Sequence, residues 1–101
     1  SAEAVEIQVS AKVLVQEGYT APMVQAELME LLTTYCEETA FSSYVISYLG
    51  IVSLLFDCPG VVDVTDYTIN GQGQSLTLLA RQFPVAVTPE ITVQEVEVQD
   101  A

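Results

Sequence analysis

No histidine occurs among the 101 residues, and only Lys12 and Arg81 carry positive charge. The first absence removes the side chain that most often serves as a base or metal ligand near neutral pH. The second leaves 14 acidic residues almost unopposed, for a formal net charge of -12. Nucleic acids and anionic membrane surfaces are recognised through Lys and Arg, so both are poor partners. A basic patch on another protein is a better match, and the acidity also keeps an apolar domain in solution. Cysteine is scarce: Cys36 and Cys58 are the two present. Small disulfide scaffolds carry more, and a zinc site needs further ligands, so both read as small buried hydrophobes in a reducing compartment. No apolar run is long enough to span a bilayer. The best candidate, YVISYLGIVSLLF at 44–56, is short and contains Ser and Gly. No signal-peptide pattern is visible, and the Met-less start at Ser1-Ala2 is expected of a piece of a longer protein.

Half the residues are hydrophobic and only 16% are charged, which favours one packed domain over a disordered chain. From 3 to 16 the pattern has a period of two. Val5, Ile7, Val9, Ala11, Val13 and Val15 share one face, which predicts a long half-buried strand. Gly18-Tyr19 breaks it. Thr20 caps a helix expected over 21–37, with Pro22 in its first turn and Val24, Leu28, Leu31, Leu32 and Tyr35 at helical spacing. Glu37 and Glu38 fall at the negative end of that helix dipole, a conflict that a partner's basic residue would relieve. Residues 39–46 read as a connector holding a short extra strand at most. Ser47 caps a second helix over 48–57, with Leu49, Val52, Leu55 and Phe56 on one face and Ile51 and Leu54 on another, so burial on two sides is expected.

The stretch CPGVVDVTDYTINGQGQ, 58–74, is rich in the residues of calcium loops and phosphate cradles. Asp63, Asp66 and Asn70 are spaced by three and four, whereas a calcium loop needs oxygens at alternate positions and a later Glu. Asn70-Gly71-Gln72-Gly73 lacks the Lys-Ser/Thr of a P-loop and no helix follows it. The stretch therefore reads as punctuation: Pro59-Gly60 stops the helix, 61–69 is a strand, Asn70-Gly71 turns a hairpin and 75–79 returns. Phe83-Pro84 opens a connector, and ITVQEVEV, 91–98, is a last strand whose apolar parity flips between Val93 and Val96. The fold class is α+β: two helices packed on one face of a mainly antiparallel sheet, in the order β-α-α-β-β-β. Nucleophilic catalysis finds no base beside either cysteine, and Glu37-Glu38 reads as a solvated helix face before it reads as a catalytic pair.

Gly18-Tyr19-Thr20, Tyr35, Tyr44-Val45, Pro59-Gly60-Val61, Asp63-Val64, Asn70-Gly71 and Pro84-Val85 occur in a telling order. Over about residues 5–98 the chain resembles the C-terminal region of baseplate J-like proteins of tailed phages and PBSX-type prophages. Members of that family continue N-terminally for several hundred residues, so the resemblance implies that residues 1–101 form one terminal domain of a longer protein. It further implies a wedge component of the virion tail baseplate, assembled in multiple copies with other tail subunits after synthesis in the bacterial cytoplasm. No catalytic residue, cofactor or metal is implied. Expected partner contacts are Glu30, Glu37 and Glu38 on the first helix and Tyr44 and Tyr48 beside the connector, since tyrosine is enriched at interfaces; core packing is the equal alternative for both tyrosines. Two other readings stay open: a stand-alone domain binding a small molecule or ion, marked by a closed pocket with converging polar groups, and a small hydrolase using a carboxylate pair.

Overall fold

The computed structural model describes residues 1–95. Its elements are β1 (Glu3–Ile7), β2 (Val9–Val15), α1 (Ala21–Ser42), β3 (Val45–Ile46), α2 (Tyr48–Asp57), β4 (Val61–Ile69), β5 (Leu76–Thr77), β6 (Gln82–Ala86) and β7 (Glu90–Glu95). The class is α+β, but the strands form three small sheets of mixed sense: β4-β2-β7, β1-β6 and β3-β5. β2 runs antiparallel to β4 and parallel to β7, and β1 runs parallel to β6.

The alternation at 3–16 holds: Ile7, Val9, Ala11, Val13 and Val15 are all buried. It does not make one strand. The ladder breaks at Gln8, and the two halves join different sheets. Asn70 clamps the break. The Gln8 N–H donates to Asn70 Oδ1 at 2.7 Å, Asn70 Nδ2 donates to the Glu6 carbonyl at 3.1 Å, and the Asn70 N–H donates to the Gln8 carbonyl at 2.8 Å. Asn70 itself sits at φ 50, a left-handed conformation that Asn tolerates well. Asn70→Gly keeps that backbone accessible and removes only the side-chain clamp. It is expected to cost about 1–2 kcal/mol in urea unfolding; stability equal to wild type would show that the clamp contributes nothing.

Both helices begin where their caps predict. Thr20 Oγ1 accepts from the Met23 N–H, and Ser47 Oγ accepts from the Gly50 N–H at 2.9 Å. α1 runs five residues past its expected end, because Cys36 and Thr39 carry the buried stripe of Val24, Leu28 and Leu32 onward. α1 lies over β6 and β7, and α2 over β4 and against α1. α2 buries Ile51 and Leu55, whereas Leu49 is 73% exposed and Phe56 is also exposed. Both expected faces contribute to the core, Ile51 with the partly buried Leu54 and Leu55 with the partly buried Val52, but Leu49 and Phe56 are left exposed.

β4 reaches its pairing with two register shifts. Val62 is the extra residue between the pairs Val15↔Val61 and Leu14↔Asp63. Asp66, at φ 49, lies in the second bulge, between Thr65 and Thr68. The shifts let Val61, Val64, Tyr67 and Ile69 face inward at a spacing that strict alternation forbids. The Asn70-Gly71 turn forms, with Ile69 bridged to Gln72, but the return strand does not pair with β4. β5 pairs with β3 instead, Val45↔Thr77 and Ile46↔Leu76. Where Phe83-Pro84 is expected to open a connector, the structure has β6. Glu3 donates to the Arg81 carbonyl and Val87 to the Ile7 carbonyl, which phases the parallel ladder so that Pro84 turns its missing N–H away from β1. The parity flip expected at Val96 lies outside the described residues.

Candidate interaction surface

The Asp63, Asp66 and Asn70 trio is dispersed into structural tasks. Asp63 Oδ1 accepts from the neighbouring Val64 N–H at 2.9 Å, Asp66 occupies a bulge, and Asn70 Oδ1 is taken by Gln8. Among the described residues, no group of three or more His, Cys, Asp or Glu converges. Cys36 and Cys58 are buried and free. Burial pushes each thiol up to about 11, with the Glu27 and Asp57 carboxylates adding to the rise at Cys58. Both are therefore protonated at neutral pH and poor nucleophiles.

The tyrosines divide. Tyr48 stacks on Tyr67 with ring centroids 4.3 Å apart. Each hydroxyl donates to the other's backbone carbonyl, at 2.8 and 2.7 Å. Tyr35 accepts from the Ser47 N–H at 2.8 Å and so fixes the start of α2. Tyr48 is thus occupied internally, whereas Tyr44 is 56% exposed beyond the end of α1.

Glu30, Glu37 and Glu38 are all exposed on α1. Glu37 and Glu38 lie four and three residues before Phe41 and neighbour it on the helix surface, whereas Glu30 lies three turns, roughly 16 Å, back along the axis. The helix therefore groups Glu37 and Glu38 with an aromatic ring and sets Glu30 apart. Phe41 is 94% exposed. It borders a groove of about 410 Å³ between α1 and β6, lined by Met29, Thr33, Cys36, Glu37 and Ala40 on one side and by Phe83 to Ala86 on the other. A second concavity of about 220 Å³ continues past the helix end through Ala40, Phe41 and Tyr44. The groove's polar side chains are few, and Thr33 Oγ1 already donates to the Met29 carbonyl at 2.7 Å. It is open and apolar, with no convergence of polar groups.

Phe41, Phe83 and Val85 are not among the contact candidates the sequence offers, because 39–46 reads as a connector and Phe83-Pro84 opens another. The available signal was Cys36 and Thr39, which continue the α1 stripe and make Phe41 helical.

The model of the baseplate J-like protein C-terminal domain matches residues 7–94. This chain belongs to the baseplate J-like family. Two curated Bacillus subtilis (strain 168) relatives align with it over 79 residues. The phage-like element PBSX protein XkdT is 29% identical and the uncharacterized protein YqbT 30% identical. Each alignment covers 78% of this chain and 23% of the relative, so the chain spans about a quarter of the length of either. The baseplate J-like match runs from β1 into β7, across all the elements that build the groove.

Proposed function

We propose that this chain is a structural domain of a phage or prophage tail baseplate, a wedge component acting by protein–protein assembly rather than catalysis. The family match over residues 7–94 carries the reading. It is supported by a site inventory in which the thiols are protonated and the trio in 58–74 is used for folding. In this reading residues 1–101 are the terminal domain of a longer protein, present in several copies in the virion tail and made in the host cytoplasm. Glu30, Glu37, Glu38 and Tyr44 are contacts to other subunits, and Tyr48, stacked on Tyr67, serves the fold. Among the described residues no helix is long and apolar enough to cross a membrane. The ligand-binding alternative needs an enclosed pocket with converging polar groups, and the groove offers neither.

The test is to tag the full-length protein that carries this chain in cells producing tails, then purify the tails and locate the tag. It is expected to co-sediment with intact tails in fixed proportion to the other baseplate subunits. Complete tails that lack it would sink the reading.

A further inference from the structure

Resting on the baseplate reading, we infer that the α1–β6 groove is a docking site for a different tail subunit, one that inserts apolar side chains flanked by Lys or Arg. The groove is an apolar concavity with an almost fully exposed Phe41 on its rim and with Phe83 and Val85, each 38% exposed, on its strand side. Exposed aromatic and aliphatic side chains grouped around one concavity mark an interaction site more than scattered ones do. Its rim is anionic. Glu37 lines it, Glu38 neighbours Phe41 three residues on along the helix surface, and the last turn of α1 carries no basic residue to offset the dipole. The cation nearest in sequence is Arg81, two residues before Phe83.

Charge selects the occupant. A second copy of these 101 residues would bring another net charge of -12 and only Lys12 and Arg81 to a negative rim, so like-charge repulsion opposes pairing of the domain with itself. A heterologous partner with Lys or Arg beside its apolar side chains gains at both terms. The partner engages through side chains rather than by adding a strand, because Pro84 removes an N–H from the free edge of β6.

The probe is a pair of synthetic amphipathic helical peptides sharing one Leu/Phe face, one bordered by Lys and the other by Glu, titrated into the isotopically labelled chain. The Lys peptide is expected to shift the amide signals of Met29 to Phe41 and Phe83 to Ala86. It should bind about five- to ten-fold tighter than the Glu peptide at low salt, and the gap should close as salt screens the rim. Phe41→Ser with Val85→Ser should remove binding, and the exposed Glu37→Lys should erase the preference between peptides, both with unchanged melting temperature. Equal binding of the two peptides, shifts mapped elsewhere, or a dimer of the chain abolished by the double substitution would overturn the inference. In tails, full-length protein with the double substitution should be excluded while wild type is incorporated. Equal incorporation of both sinks the groove and leaves the baseplate reading standing; absence of wild type sinks both.

Discussion

Gly60→Ala is expected to destabilise the chain by about 2–5 kcal/mol, combining left-handed strain with overpacking. Gly60 sits at φ +88, where an L side chain is strained, and a Cβ there would lie 2.3 Å from Cγ of the Tyr19 ring. The ring cannot easily retreat. Gln16 donates to the Gly60 carbonyl at 2.9 Å and Tyr19 donates to the Gln16 carbonyl at 3.2 Å, so the turn after β2 and the turn before β4 hold each other. Gly18 is the internal control. It has φ +94 with nothing within 4 Å of an added Cβ, so Gly18→Ala should cost only the strain, about 1–2 kcal/mol. Urea unfolding of both variants and of Tyr19→Ala/Gly60→Ala separates the terms: the double variant should cost clearly less than the sum of its singles. Equal losses at Gly18 and Gly60 would show that the contact with Tyr19 has no energetic weight.

Leu55→Ala is expected to cost about 2–5 kcal/mol, as deletion of a fully buried leucine does, while Leu49→Ala stays within about 0.5 kcal/mol. The pair is informative because helical periodicity places both on one apolar face. Leu55 is fully buried, and Leu49 projects from the first turn of α2 and is 73% exposed. Chemical denaturation of the two variants decides it: comparable losses would mean that the whole of that face is covered, as periodicity alone predicts.

Much of the helical architecture was legible. Thr20 and Ser47 act within three residues of themselves, so a cap can be read from a few adjacent positions. The β2 face was legible because one uninterrupted period of two ran through it. The stretch 3–16 reads as a single strand because Gln8 has nothing unusual in its sequence neighbourhood. Its break is set by Asn70 and by Thr88, whose carbonyl accepts from Gln8 Nε2 at 2.9 Å, both some 60 to 80 residues away. β6 is not legible because Pro84 is a strand breaker in isolation, and only the phase of the ladder with β1 shows that its missing N–H is not needed. The contact candidates followed the same division. Glu37 is legible as a helix residue, but its grouping with Phe83 and Val85 needs α1 laid across β6.

Local chemistry thus settled the helix starts, the stop at Gly60, the buried face of β2 and the lack of a histidine-based site, since each depends on residues in direct sequence contact or on composition. Packing settled the rest: which strands pair, where β4 bulges, which apolar residues of α2 are covered, and that an acidic rim meets an apolar groove. Strand pairing joins backbone groups whose donors and acceptors are the same in every residue, so no short stretch names its own partner. The choice is made by which arrangement buries the most apolar surface while leaving no backbone group unpaired.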